Sequence, residues 1–75
     1  MTMQEREKLN EIIFLVEETD DGYTARALGY SIFTEADTLD ELREMIKDAV
    51  ECHFDEDERP RIIRLHIVKQ EVLTL

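Results

Sequence analysis

The sequence is poor in the features that cross-link, anchor or export a small protein. Its single cysteine, Cys52, excludes an intramolecular disulfide. No apolar run approaches the roughly 20 residues that a membrane-spanning helix needs. Residues 1–7 are mostly polar and lack the apolar centre of a signal peptide. We therefore expect a cytoplasmic protein without a membrane anchor.

Basic residues are also scarce in this chain. Nine lysines and arginines stand against nineteen aspartates and glutamates, and the formal net charge is -10. A surface this negative repels nucleic-acid phosphates and anionic membranes, and it attracts basic proteins. We therefore expect neither DNA nor a membrane as a partner. Solubility alone is the alternative explanation of the charge.

What the chain does contain is enough apolar material for one small domain. It has 75 residues, of which 43% are apolar. A domain this short buries a small share of its surface, and neither a disulfide nor a plausible metal site would reinforce it. We therefore expect a second copy or another partner to supply additional buried area.

The first half of the chain predicts three antiparallel strands after a loose N-terminal arm over residues 1–10. The run 12–16 is short, β-branched and aromatic, with apolar side chains on both faces, which predicts a central strand. Asp21-Gly22 is typical of a tight hairpin turn. The predicted elements are strand 12–16, a turn at Asp21-Gly22, strand 23–27, a turn at Gly29 and strand 32–35.

The middle of the chain predicts one helix, from about Thr38 to Phe54. Residues 38–41, Thr-Leu-Asp-Glu, match a capping box, in which the threonine hydroxyl accepts from the Glu41 amide and the glutamate side chain bonds back. Beyond it, apolar side chains recur at helical spacing and charged ones take the opposite side. The positions predicted to face the core are Leu39, Leu42, Met45, Ile46, Ala49, Val50 and His53, with Cys52 partly buried.

A last strand is predicted over 62–75. Pro60 separates it from the helix, because proline lacks an amide donor and disfavours helix before it. Apolar and basic side chains alternate along it. Ile63, Leu65 and Ile67 face one way, and Arg64 and His66 the other. The prediction is a single α+β domain over 11–75, of order β-β-β-α-β: an antiparallel meander plus a C-terminal strand, with one helix on one face.

Three stretches of the sequence resemble the HicB family. Residues 22–26, Gly-Tyr-Thr-Ala-Arg, are similar to that family's G-Y-x-A hairpin strand, residues 34–42 are similar to its strand-to-helix junction, and Ala49-Val50 follows in the predicted helix. The resemblance spans roughly 12–68. The chain departs from the family at Ala36, where glycine is usual, and at 27–29, where only part of the family's Pro-x-Leu-x-Gly loop is present.

The resemblance implies a fold and a role. The fold is a degenerate ribonuclease-H-like unit without that enzyme's active site. The role is that of an antitoxin which binds and occludes a small basic toxin ribonuclease. Many members carry a DNA-binding segment after the last strand, and this sequence ends before one, so operator binding is not expected. The alternative is a stand-alone oligomeric domain with a structural or small-ligand role and no toxin.

Candidate catalytic and metal-binding residues are few. Ribonuclease-H chemistry needs several carboxylates around divalent ions, and the strand 12–16 contains none. The acids of 20–21 and 55–58 do not match the ligand spacing of a calcium loop. Cys52 and His53 are adjacent on a helix and point in different directions, which disfavours a nucleophile pair. We predict no enzyme, no metal site and no cofactor.

Charged side chains supply the candidate contacts for a basic partner. The predicted contacts are Glu17, Glu18, Asp20, Asp21, Asp55, Glu56, Asp57 and Glu58. A mild basic patch is expected near the last strand, with acids of another subunit as its favoured partners and RNA as the alternative. Its members are Arg61, Arg64, His66 and Lys69.

The last strand is also the candidate dimer interface. Its predicted span exceeds the roughly 5–6 residues that are usual, and it stays apolar to its end. A long apolar edge invites pairing with other chains, and pairing with a copy of itself gives a closed two-fold dimer. The predicted interface residues are Ile67, Val68, Val72, Leu73 and Leu75. A frayed tail is the alternative.

Overall fold

A computed structural model describes residues 10–75 and shows a four-stranded sheet with one helix. The elements are β1 (Glu11–Thr19), β2 (Gly22–Ala27), β3 (Phe33–Ala36), α1 (Leu39–His53) and β4 (Ile62–Val68). The predicted α+β fold and its β-β-β-α-β order are confirmed. The predicted N-terminal arm, apart from Asn10, lies outside the described residues.

The sheet has the strand order β3-β2-β1-β4. β1 pairs antiparallel with β2, and β2 with β3, so the predicted meander is present. β4 lies parallel to β1, with Ile62 beside Glu11 and Val68 beside Glu17. The all-apolar run in β1 therefore lies in the centre of the sheet, as predicted, and β3 and β4 form its two edges.

The core lies between the helix and one face of the sheet. Alternate side chains of β1 point into it, because successive residues of a strand face opposite sides. Apolar side chains at helical spacing on α1 pack against them. Burying each large apolar side chain contributes about 1.5–3 kcal/mol. The buried apolar side chains are Ile12, Phe14, Val16, Ala25, Ala27, Ile32, Leu42, Ile46 and Val50.

The helix begins where the capping chemistry predicts. The backbone of Thr38 is extended, and its Oγ1 accepts a hydrogen bond of 3.1 Å from the Glu41 amide. Within residues 10–75, the Glu41 carboxylate does not accept a hydrogen bond from the Thr38 amide. Only the half of the capping box that involves the Thr38 hydroxyl therefore forms. The helix ends at His53 and is capped by Phe54, within a residue of the prediction.

The buried face of α1 is narrower than predicted. Met45 is 45% exposed, and Cys52 and His53 are exposed, so their predicted burial is wrong. The cause is geometric: only one row of side chains four residues apart points at the sheet, and Met45 and Cys52 lie on its flank. His53 instead packs its ring on those of Tyr30 and Phe54, at 5.9 and 4.9 Å between centroids.

The last strand is shorter than predicted. It ends at Val68 instead of Leu75, and residues 69–75 are exposed and outside any strand. A strand needs a neighbour to accept and donate its backbone hydrogen bonds. The pairing with β1 ends where Val68 lies beside Glu17, although β1 itself continues to Thr19. The predicted alternation within 62–68 is confirmed by the register, which places Leu65 beside the buried Phe14.

Candidate protein-binding surfaces

The acids predicted to contact a partner fall at opposite ends of the domain. One group ends β1 and forms the turn to β2, and we name it the hairpin end: Glu17, Glu18, Asp20 and Asp21. The other follows α1, and we name it the loop end: Asp55, Glu56, Asp57 and Glu58. The loop end precedes β4, which starts beside the start of β1. The length of β1, about 26 Å at roughly 3.3 Å per residue, therefore separates the two groups.

The hairpin end gathers acids that sequence reasoning missed. The β2–β3 register places Glu35 opposite Thr24, and Thr24 is in turn opposite Glu17. Asp37 follows β3 at the same end of the sheet. A concave pocket of about 310 Å³ lies here and includes Asp21, Glu35 and Asp37 in its lining. The feature that would have identified these acids is the register between β2 and β3. That register depends on the connection between the two strands and not on composition.

Local hydrogen bonds fix the shape of the hairpin end. The Thr19 hydroxyl accepts from the Asp21 amide at 3.3 Å and donates to the Gly22 carbonyl at 3.2 Å. Gly22 has a φ of +154°, and a Cβ there would collide with the carbonyl oxygen of Ala36. The turn therefore lies tightly against the end of β3. This close contact fixes the position of the turn backbone that carries Asp20 and Asp21.

Among the described residues, no ion pair includes an acid of the hairpin end. The ion pairs within residues 10–75 are Arg43–Asp40 at 2.7 Å, Lys47–Glu44 at 3.6 Å and Arg64–Glu11 at 3.0 Å. None of them includes an acid of the hairpin end or the nearby Glu35 and Asp37. The acids of this surface are exposed and repel one another, and a cation placed among them would relieve that repulsion.

The predicted basic patch is divided in the structure. Arg64 donates two hydrogen bonds, of 3.0 and 3.2 Å, to the Glu11 carboxylate across the β1–β4 pair. These bonds lower the pKa of Glu11 and raise the pKa of Arg64. Arg61 precedes β4 and Lys69 follows it, so they lie at opposite ends of the strand. The expectation that another subunit supplies the acid is therefore wrong for Arg64, whose partner lies in its own chain.

The remaining candidates for chemistry stay apart. Cys52 is exposed on α1, and the neighbouring His53 ring lies against Tyr30 and Phe54. Within the described part of the chain, no three side chains of His, Cys, Asp or Glu are grouped so that they could hold a metal ion. The same residues contain no helix long and apolar enough to cross a membrane.

The predicted dimer residues lie along an open edge. Ile67 and Val68 end β4 and are 48% and 43% exposed, while Val72, Leu73 and Leu75 follow it and are at least 80% exposed. α1 packs over β3 and β2, which leaves β4 less covered. A groove of about 240 Å³ therefore opens between α1 and β4, lined by Arg43, Ile46, Lys47, Ile63 and Leu65. We name it the β4 groove.

The fold and surfaces define a small β-β-β-α-β domain with acidic ends and one open apolar edge. The chain is 68% identical over 62 residues to a UPF0150 protein of Archaeoglobus fulgidus. This alignment covers 83% of the present chain and 94% of the relative. It is 47% identical over 70 residues to a UPF0150 protein of Thermotoga maritima, covering 92% and 99% of the two chains. The chain therefore belongs to the UPF0150 family, a name that states no activity or partner. No family model and no solved structure matches it.

Proposed function

We propose that this domain is a non-catalytic, HicB-like antitoxin that binds and occludes a small basic toxin ribonuclease. The observation that carries the proposal is that no ion pair among residues 10–75 includes an acid of the hairpin end. A basic partner that docks there breaks no existing ion pair and relieves repulsion among the acids. Complementary charge also steers such a partner during its approach.

The two acidic groups have different roles in this proposal. The hairpin end is concave and held by the Thr19 hydrogen bonds, so it makes the contact. The loop end lies about 26 Å away, at roughly 3.3 Å per strand residue. It therefore adds to the attractive field around the domain and accelerates association, and it does not touch the bound ribonuclease.

A non-catalytic role is supported by the composition of the central strand. The β1 side chains that face the helix are apolar and belong to the core, namely Ile12, Phe14 and Val16. The acids at the end of β1 are exposed and lie beside other acids, an arrangement that repels a substrate phosphate. The arrangement therefore suits recognition of positive charge more than phosphodiester cleavage.

Co-expression with candidate small basic ribonucleases, beginning with any encoded beside this gene, tests the proposal. We expect the domain to restore growth that the ribonuclease arrests, and the two proteins to purify together. Continued growth arrest and no complex with any candidate, in cells that accumulate the folded domain, would refute the antitoxin role.

Two matched variants separate contact from steering. One neutralises the hairpin end (Glu17→Gln, Glu18→Gln, Asp20→Asn and Asp21→Asn), and the other neutralises the loop end (Asp55→Asn, Glu56→Gln, Asp57→Asn and Glu58→Gln). Each removes four negative charges. We expect the first variant to raise the Kd about a hundredfold or more and to abolish growth rescue. The second should slow association by about tenfold or less, with little effect on dissociation. Equal losses from both would contradict contact at the hairpin end.

A second candidate function is a stand-alone oligomeric domain with a structural or small-ligand role and no toxin. The exposed apolar residues of β4 and of 69–75 favour it, since a small domain gains buried area by self-association. We propose a homodimer that buries Ile67, Val68, Val72, Leu73 and Leu75. A dimer in the absence of any rescued growth would favour this second candidate.

A further inference from the structure

Among residues 10–75, no further strand lies beside β4, and β4 and residues 69–75 together carry much of the exposed apolar surface. Ten large apolar side chains are exposed in the part of the chain that the structure describes, and six of them belong to β4 or to 69–75. They are Ile62, Ile67, Val68, Val72, Leu73 and Leu75. Open edges are normally kept short, charged or covered, because their free backbone groups pair with other strands. An edge of this composition is therefore suited to pairing with another strand.

Residues 69–75, which we name the tail segment, match β4 in length and pattern. Both contain seven residues. If the tail segment continues the alternation of β4, Leu73 and Leu75 fall on the same face as Ile63 and Leu65. That face is the helix side of the sheet, where the β4 groove opens.

The β4 groove offers a matching surface for this segment. Its floor is apolar, formed by Ile46, Ile63 and Leu65, and Arg43 and Lys47 of α1 also line it. The tail segment has two leucines for the floor and one acid, Glu71, for the basic side of the groove. Apolar contact and opposite charge are thus supplied by a single stretch of seven residues.

The tail segment is poorly suited to fold back on its own β4. A fold-back needs a tight turn directly after Val68, and two-residue hairpin turns favour glycine, asparagine or aspartate because their φ is positive. The residues at that point are Lys69, Gln70 and Glu71, and both glycines of the chain lie elsewhere. The β4 edge of a second copy requires no turn at all.

We propose that the tail segment of one copy adds as an antiparallel strand to the free edge of β4 in a second copy, and that the exchange is reciprocal. In this pairing Leu73 and Leu75 lie beside Leu65 and Ile63 of the other copy and enter its β4 groove. Glu71 lies on the side of that groove lined by Arg43 and Lys47. A two-fold axis fills both grooves and closes the assembly. The inference rests on the self-association proposed above and is independent of any toxin.

The exchange has an electrostatic consequence. Because the tail segment directly follows β4, the two-fold axis passes close to residue 69 in each copy. Lys69 lies near Glu17 and Glu18, with which it lines one pocket. The hairpin ends of the two copies therefore approach each other, with both Lys69 side chains between them. Salt that screens the remaining repulsion strengthens the dimer, whereas it weakens capture of a basic protein.

Sedimentation of the full chain and of tail variants tests the exchange. We expect a dimer at micromolar concentration. Leu73→Asp combined with Leu75→Asp should weaken it about a hundredfold or more, because two leucines lose their buried site. Thr74→Asp is the matched control, since residue 74 faces away from the groove, and it should weaken the dimer by about tenfold or less. Circular dichroism checks that each variant remains folded.

A charge exchange tests the partner surface itself. Glu71→Lys and Lys47→Glu should each weaken the dimer, and the two changes together should restore much of the lost affinity, since the opposite charges are then reversed. A chain that stays monomeric at millimolar concentration would overturn the inference. So would a dimer that is indifferent to the two leucine changes, or tail amides that are protected from hydrogen exchange independently of concentration. Failure of the original chain to restore growth although it dimerises counts against the antitoxin proposal alone.

Discussion

At the scale of the residue, Thr38 shows how one side chain sets the start of an element. Its hydroxyl accepts from the Glu41 amide, which would otherwise lack a partner in the first turn of α1. We expect Thr38→Ala to lower the free energy of unfolding by about 1 kcal/mol. Urea denaturation measures the change, and Thr38→Ser serves as a control because it keeps the hydroxyl. An alanine variant as stable as the original chain would contradict the cap.

Gly22 is the second residue whose identity the structure requires. A Cβ added there meets the carbonyl oxygen of Ala36, and the φ of +154° is rare for other residues. We expect Gly22→Ala to lower the free energy of unfolding by about 2 kcal/mol or more. The atom in the way is a backbone oxygen, so the backbone itself has to shift, whereas a side chain could rotate away.

Gly29 provides the matched control for that substitution. Its φ is +89°, but a Cβ there meets no atom within 4 Å. Gly29→Ala should therefore cost only the backbone preference, about 1 kcal/mol. Thermal unfolding of both variants should rank Gly22→Ala as the less stable. The opposite rank would show that contact with β3 does not constrain the hairpin.

At the scale of the element, β4 is joined to the centre of the sheet by a charged pair as well as by its backbone. Arg64 lowers the pKa of Glu11 chiefly through its hydrogen bonds. Because the pKa of Glu11 is lower in the folded state than in the unfolded state, the pair stabilises the fold at a pH above the unfolded-state pKa. This stabilisation is lost as the pH falls through the folded-state pKa of Glu11. The pair is exposed, so its contribution is modest.

Glu11→Gln tests this pair. We expect the variant to be less stable than the original chain at neutral pH, and the difference to vanish in strong acid, where the Glu11 carboxyl is protonated in both states. Denaturation midpoints of the two proteins across the acid range measure it. A difference that stays constant through the acid range would show that the carboxylate charge has no role.

Elements defined by local chemistry could be predicted from the sequence, and those defined by distant neighbours could not. The hairpin turn and the Thr38 cap depend on a few adjacent residues. The cap lies where predicted, and the turn lies one residue earlier than predicted, at Asp20-Asp21, with Gly22 as the first residue of β2. The end of β4 depends on how far β1 supplies a partner, and no property of residues 69–75 reveals that limit. Flank positions of α1, such as Met45, were misassigned because their burial depends on where the helix lies over the sheet.

The candidate surfaces show the same division. Each acid of the hairpin and loop ends was identified as a candidate contact, and each is exposed. Their separation follows from the parallel pairing of β1 and β4, which joins segments about fifty residues apart in sequence. The addition of Glu35 and Asp37 follows from the β2–β3 register. The first is a long-range pairing, and the second depends on the connection between β2 and β3, so composition alone predicts neither.

At the scale of the whole molecule, the topology separates the two proposed interactions. The order β3-β2-β1-β4 puts β4 at an edge, and α1 packs over β3 and β2, so the apolar surface lies along one side. The acids of the hairpin end and of the loop end lie at the end of β1, in the turn that follows it and in the loop after α1. A basic partner and a second copy can therefore bind at the same time, provided that the approach of the two hairpin ends leaves their pockets open.

The net charge of the whole molecule predicts how its stability responds to salt. With a formal charge of -10 and three ion pairs among residues 10–75, repulsion between acids outweighs attraction and destabilises the compact state. The screening length falls from about 30 Å at 0.01 M salt to about 8 Å at 0.15 M. We therefore expect the Tm to rise with sodium chloride over this range. A variant that neutralises only Asp55, Glu56 and Glu58 (Asp55→Asn, Glu56→Gln and Glu58→Gln) should start from a higher Tm and gain less, because three repelling charges are already gone. A Tm that falls as salt is added would show that the ion pairs, and not the repulsion, dominate the electrostatics of the fold.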